Sequence, residues 1–330
     1  MGMRVRPVWR SLLLFCLLFL AACAAPGPKT VHKVEKDFIF ATIRPGDSYR
    51  SLAAAYLNDP SKAWLIAQGN KGKDLVPGRM VVIPLVPLYR GGLKPDGYQT
   101  VPVLAYHGFS MQKADKTHVT KADFENQMKF LKDKGYSVIT LDRFLDFLNF
   151  KSSIPPKSIV LTFDSGRRTV YDIAYPILKK YGYPATLFVQ TDFIGHETAM
   201  TWNQLKELRD NGFDIQCHIN THQSLAHLKK DTLFKSYFQI MDMEMRRAEE
   251  IIKRKLGVKC GCLAYPSLKN DDLFIAVLKK RGYRGAFTDR SGSNPFFVNN
   301  YAINRAMISG GFDLHRFMLE LKVFEKAELK

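Results

Sequence analysis

Acidic residues are scarce in this chain: 31 aspartates and glutamates stand against 49 lysines and arginines, a net charge of +18. That imbalance suits the molecule to anionic partners. Cysteine is scarcer, with five in 330 residues, too few for a disulfide-stapled scaffold. Long apolar runs are missing apart from Leu12 to Ala22, which is too short to cross a bilayer. No internal repeat or low-complexity tract is present. What remains is ordinary globular material, 46% hydrophobic, with room for one large domain and a small one.

Arg4, Arg6 and Arg10 ahead of the short apolar run fit an export signal. The run ends in Leu20-Ala21-Ala22-Cys23, which resembles a bacterial lipoprotein processing box. The resemblance implies a signal over residues 1–22 and a lipidated Cys23 that holds the protein at a membrane. In a host with an outer membrane, Ala24, which is no retention acid, implies attachment there on the periplasmic side. An ordinary cleaved signal with an incidental cysteine is the alternative. Cleavage removes three arginines and no acid, taking +18 to +15. Export argues against nucleic acid as the partner and for anionic envelope polymers or lipid headgroups. Cys217, Cys260 and Cys262 then remain, enough for one disulfide at most or for three buried thiols.

Residues 23–37 read as a tether and residues 38–86 as a compact α+β unit. Phe38 to Ile43 alternates like a strand, Pro45 to Ser48 makes a turn, and Leu52, Ala55 and Tyr56 keep helical spacing. A second helix starts at Pro60 and stops at Gly69 and Asn70; Pro77-Gly78 turns into the strand Met80 to Pro84. This strand–helix–helix–strand order resembles a LysM module. The resemblance implies binding of peptidoglycan or chitin in a groove between two loops, marked here by Gly46, Asp47, Ser48 and Asn70. A spacer that no longer binds stays open.

Residues 87–99, with Gly91, Gly92, Pro95 and Gly97, read as a linker to a domain over 100–330. Strand-like runs lie at Val101–Tyr106, Ser137–Thr140, Ser158–Phe163, Ala185–Val189, Phe213–Cys217, Leu263–Tyr265 and Gly285–Thr288. Amphipathic helices separate them, one burying Phe124, Gln127, Met128 and Leu131, another opening with a capping box at Thr201 and Gln204. About seven βα units of this kind predict an α/β fold, a distorted (β/α)7 barrel related to the TIM architecture. Working residues then sit beyond the C-terminal strand ends, where His107, Asp164 with Ser165, His218, and Tyr265 with Pro266 would converge. His118, His196 and His227 sit in polar stretches and read as solvated. The Met241, Met243 and Met245 cluster reads as ordinary packing.

The stretches VPVLAYHGF, IVLTFDSG, ATLFVQTDFIG, TWNQLKEL, GFDIQCHINTH, LAYPSLKNDD and YAINR resemble a polysaccharide deacetylase with NodB homology, carbohydrate esterase family 4. The resemblance implies hydrolysis of acetyl groups on an amino-sugar glycan with a divalent metal, commonly zinc. Asp164 matches the general base, His218 and His222 the imidazole ligands, and Arg305 an arginine holding the base. Tyr265 and Pro266 match the segment that supports the oxyanion; Pro266 would face substrate, and so would His107 unless it is a satisfied barrel histidine. The chain departs from the family where Ser165 replaces the anionic metal ligand, Ile219 a hydroxyl residue and Asn299 an aspartate. His315, near the late catalytic histidine of the family, follows the helix cap Asp313 and reads as a surface residue. A neutral hydroxyl is a poor ligand for a divalent ion. Two functions follow: an envelope deacetylase, or a pseudoenzyme that binds glycan without turnover.

Overall fold

The computed structural model describes residues 31–34, 37–86, 90–218, 234–265 and 272–327. They fall into two compact units, one ending at Val86 and one beginning at Pro87. Among the described residues no helix is long and apolar enough to cross a membrane. Residue Cys23 lies outside them.

In the N-terminal unit, β1 (Val31–Val34), β2 (Phe38–Thr42) and β3 (Met80–Pro84) form an antiparallel sheet in that order. Helices α1 (Tyr49–Leu57) and α2 (Ala63–Gly69) lie between β2 and β3 in sequence. Strand β1 departs from the expected tether. Val31 and Val34, both β-branched, pair with Ala41 and Ile39, and a bulge between Val31 and Lys33 absorbs the irregular register. Ala41, Ile43, Leu52, Ala53, Ile66, Val81 and Ile83 make the core.

The C-terminal unit opens with β4 (Leu93–Lys94), β5 (Gly97–Val101), β6 (Val103–Tyr106), β7 (Gly108–Ser110) and β8 (His118–Thr120). Next come α3 (Lys121–Asp133), β9 (Ser137–Val138), α4 (Leu141–Leu148), β10 (Ser158–Ser165), α5 (Tyr175–Tyr181) and β11 (Thr186–Gln190). They are followed by α6 (Trp202–Asp210), β12 (Asp214–His218), α7 (Phe234–Leu256), β13 (Cys262–Ala264), α8 (Asp272–Lys280) and β14 (Gly285–Phe287). The chain ends with β15 (Asn294–Pro295), β16 (Ala306–Met307), α9 (Leu314–Leu319) and β17 (Phe324–Lys326).

The main sheet is parallel, in the order β14-β13-β12-β11-β10-β6-β16, with β9 beside β10 off that path. It curls until its two edges share one segment: Ile303 bridges Phe287 of β14, and three residues later Ala306 pairs with Leu104 of β6. The distortion lies at this seam, where a single bridge replaces a ladder.

Three expectations change. Ser137–Thr140 is a strand only over Ser137–Val138, paired parallel to β10, because Thr140 caps α4 through the Arg143 N–H and ends the extended run. Ala306–Met307, not expected as a strand, pairs with β6 at the end of the strand order. Gly97–Tyr98–Gln99 leaves the linker for β5, which pairs antiparallel with β4, β15 and β17. Pro102, lacking an N–H, separates β5 from β6.

Strand alternation sorts the side chains. Ile159, Leu161 and Phe163 of β10 join Phe124, Met128 and Leu131 of α3 in the outer core. Val160 faces the opposite way, with Phe188, Cys262, Ala264, Phe287 and Ile303 in a second cluster. Asp164 shares Val160's parity, His218 shares Gln216's, and His107 follows Ala105, so period two turns all three to the inner face. Gln127 belongs on the α3 face because its Oε1 accepts from the buried Tyr106 hydroxyl at 2.9 Å.

Candidate active site

Strand β10 ends in a strained turn. The Gly166 N–H donates to the Asp164 carbonyl at 2.9 Å, closing a three-residue γ-turn with Ser165 at φ 72°. Gly166 follows at φ 93°, a conformation that glycine adopts without strain. Ser165 therefore occupies the left-handed region at a half-buried rim position.

Asp164 is 2% exposed and its Oδ1 accepts from Arg305 Nη1 at 2.6 Å, linking residues 141 apart. Arg305 is also buried, over the Phe188 ring at 5.5 Å, with its Nε donating to the Thr288 carbonyl at 2.9 Å. Burial pushes the Asp164 carboxyl up, but Arg305 and the imidazoles of His218 and His107 outweigh it, and its pKa lies below the usual carboxylate value. The carboxylate is ionised at neutral pH.

His218 closes β12 in a buried position, with Nδ1 3.0 Å from the Ala264 carbonyl oxygen. Only an Nδ1–H satisfies that oxygen, which leaves Nε2 as the lone-pair nitrogen. His107 follows β6. Burial pulls its pKa down, Asp164 opposes, and Arg305, Arg167 and His118 add to the lowering, so the imidazole is neutral near pH 7.

Tyr265 departs from its expected place in oxyanion binding. Its N–H donates to Phe287 O at 2.9 Å and its hydroxyl to Tyr301 O at 3.0 Å, so both donors serve the sheet and the packing. Its ring packs edge-on against Phe274. His222 and Pro266 lie outside the described residues. His118 is no solvated loop residue: it stands in β8 beside Gly108, with Nδ1 3.0 Å from Asp115 Oδ2. Asp115 also accepts from the backbone N–H of Thr117 and His118, which holds its carboxyl well below the usual range. His315 is exposed on α9, with Asp313 as the cap. The three cysteines Cys217, Cys260 and Cys262 are unpaired and buried. Arg167, passed over in the sequence, reaches the same rim; its position just after the Ser165-Gly166 turn is the signal that marks it.

In the N-terminal unit, Asn70 is a structural clamp. Its Nδ2 donates to the carbonyls of Ile66 at 2.7 Å and Val82 at 2.6 Å, and its Oδ1 accepts from Val82 N–H at 3.0 Å. Asp47 accepts from Arg44 N–H at 2.8 Å, and Ser48 forms a capping box with Ser51. These side chains therefore hold the loops, while Gly46 supplies a φ of 84°. A cavity of about 370 Å³ lies beside the second loop, lined by Tyr49, Asn70, Lys73, Val76 and Arg79 among others.

Among the described residues no cluster of three or more histidine, cysteine or acidic side chains could hold a metal. His218 nonetheless fits a ligand by its fixed tautomer. With His222 and Asp164 it would give the two-imidazole, one-carboxylate set that zinc accepts, at the loss of Asp164 as a base.

A curled parallel sheet with an ionised carboxylate, its guanidinium partner and two imidazoles at the strand ends places the molecule among barrel-like α/β folds with polar residues at the C-terminal strand ends. Comparison with known proteins narrows the class. The polysaccharide deacetylase family model matches residues 151–286. A Staphylococcus aureus poly-beta-1,6-N-acetyl-D-glucosamine N-deacetylase is 31% identical over 209 residues, 61% of this chain and 71% of that one. The Streptococcus pyogenes deacetylase PplD, solved with acetate, superposes with TM-score 0.60 at 24% identity, over 67% of this chain and 98% of its own. A polysaccharide deacetylase from Bacillus cereus gives TM-score 0.56 at 26% identity, over 76% of this chain and 74% of its own. The chain belongs to the polysaccharide deacetylases, hydrolases with a NodB-type, carbohydrate esterase family 4 domain.

Proposed function

We propose that the protein removes N-acetyl groups from an N-acetylglucosamine polymer of the cell envelope. The observation that carries this reading is the buried Asp164–Arg305 pair facing His218 and His107 at one end of the sheet. The similarity to the S. aureus N-deacetylase supports the choice of glycan. Arg305 keeps Asp164 ionised and pointed inward, so Asp164 Oδ2 can take a proton from the attacking water. His218, with His222 and the Ser165 hydroxyl, would hold a divalent metal; such an ion lowers the pKa of water and polarises the acetamido carbonyl. His107, neutral and within electrostatic reach of Asp164, would hydrogen-bond the sugar, and the proton that Asp164 takes from the water would go on to the leaving amine. Lipidated Cys23 would hold the protein at the outer membrane facing the periplasm. The N-terminal unit would act as a LysM-type module that retains peptidoglycan along backbone groups, since its loop side chains are already engaged.

Incubating the full-length protein with β-1,6-linked N-acetylglucosamine oligomers tests the reading. Acetate release that stops with a chelator and returns with zinc is the expected result. No acetate from this or any chitin oligomer, with zinc present, contradicts it and leaves the glycan-binding pseudoenzyme, which the neutral Ser165 favours.

A further inference from the structure

A row of aromatic rings that the reaction does not use lies at the end of the main sheet away from Asp164. Asp164 stands near the finish of β10, whereas Val160, near its start, pairs with Val103, two residues after the Val101–Asn294 pair of β5 and β15. There Phe150 meets Phe296 at 5.0 Å, Phe296 meets Phe297 at 5.1 Å, and Phe297 meets Tyr98 at 5.2 Å, all edge to face. Phe150 is 53% exposed and Phe297 60%. Phe150 also holds φ 56° just past the Asn149 cap of α4, where the Lys151 N–H closes the turn on the Asp146 carbonyl at 2.8 Å. Helices usually give that left-handed position to glycine. A large ring there carries backbone strain and stays half in water, which helix termination alone does not require. Across residues 93–101, 150–151, 294–298 and 322–326, four lysines stand against two acids, Asp96 and Glu325, and Glu325 is already paired with Lys322. Lys151 follows Phe150, and Lys94 and Lys326 both pair with Gly97 beside Tyr98.

The shape of the row selects its occupant. Rings tilted at 68° to 90° to one another present edges, not the flat platform on which a pyranose stacks. At about 200 Å² per ring, the exposed parts of Phe150 and Phe297 offer roughly 200–250 Å², against the ~800 Å² that each partner gives a stable dimer. A second copy would also bring the same lysines. Apolar rings bordered by ammonium groups match the interface of a bilayer with anionic headgroups.

We propose that this end of the barrel docks on an anionic phospholipid bilayer, with Phe150 and Phe297 entering the interface and Lys94, Lys151 and Lys326 meeting headgroup phosphates. The inference goes beyond the deacetylase reading and does not depend on it. Such docking turns the strand ends that carry Asp164 and His218 away from the lipid.

Residues 23–330 carrying C23S keep every described residue and no acyl chain, so vesicle sedimentation reads this surface alone. Binding to phosphatidylglycerol–phosphatidylcholine vesicles should be at least about tenfold tighter than to phosphatidylcholine alone. F150G/F297S should weaken it about tenfold or more, and K151E/K326E should remove the preference for phosphatidylglycerol. F150G supplies the residue that the left-handed position favours, and thermal unfolding checks the fold. F297W keeps a ring, so it should retain binding and lose fluorescence to brominated acyl chains; it serves if the double variant does not fold. Equal vesicle binding by the C23S protein with and without F150G/F297S, or an unquenched F297W, overturns the proposal. So does loss in F150G/F297S of N-acetylglucosamine oligomer binding, or of a dimer in sedimentation equilibrium, which would assign the rings to glycan or to a second copy. Absence of acetate release with vesicle binding intact overturns the deacetylase reading alone.

Discussion

In the unit ending at Val86, the loop side chains bond to nearby backbone. Asn70 clamps Ile66 and Val82, Asp47 closes a turn on Arg44, and Ser48 caps α1. In the unit beginning at Pro87, Asp164 and Arg305 meet across 141 residues and are sealed from solvent, with His218 fixed by a carbonyl of the neighbouring strand. The first arrangement satisfies a backbone. The second concentrates charge where water is excluded, and electrostatic interactions are strongest there. Polar side chains thus hold a loop in one unit and form a buried charged cluster in the other.

Breaking the buried pair should have the largest effect on stability. R305M leaves the Asp164 carboxylate without its partner and should destabilise the C-terminal unit by about 3–5 kcal/mol, measured by urea unfolding. In wild type the folded pKa of Asp164 is depressed, so its stabilisation is present above the unfolded carboxylate value and is lost as pH falls through the lower folded value. In R305M burial dominates, the pKa rises, and the acid limb of acetate release should move toward neutral pH. An unmoved limb would place the control of Asp164 elsewhere.

N70A strips two carbonyls and one N–H of their side-chain partner and should cost the N-terminal unit about 1–3 kcal/mol. Thermal unfolding of the full chain should show an earlier transition, with acetate release from short oligomers unchanged. A loss of turnover would erase the contrast between the units.

S165D sharpens the comparison from the other side. It returns an anionic oxygen to the γ-turn, and aspartate tolerates positive φ better than most residues. Zinc retained after gel filtration, and acetate release, should both rise about tenfold, or ~1.4 kcal/mol in binding. Wild type holding one tight zinc and matching S165D in rate would show that another group completes the site. The smallest effect is expected from S48A, about 1 kcal/mol off the N-terminal unit by loss of the cap, read by the same thermal scan.

Much of this contrast was legible in the sequence. β10 is a long apolar run ending in Asp164, the Thr201–Gln204 capping box opens α6, and strand parity places His218 inward. What the sequence concealed was set by partners rather than by pattern. Ala306–Met307 is too short to show a period and is a strand only because β6 lies beside it. β1 reads as tether until β2 pairs with it. The Tyr265 N–H is withdrawn from chemistry by Phe287, 22 residues away, and no local motif announces that. Arg167 carries no motif either; its environment comes from Gly108 and Phe193, on two other strand ends.

The central claim is that Asp164 is the proton acceptor of a hydrolytic centre and not merely the partner of Arg305. D164N nearly preserves shape while removing the basic oxygen, and refolding and zinc content can be checked on the same sample. Acetate release from β-1,6-linked N-acetylglucosamine oligomers should fall by about 10²–10⁴-fold in D164N with oligomer binding retained. Turnover within a few-fold of wild type in a folded, zinc-loaded D164N would contradict the account.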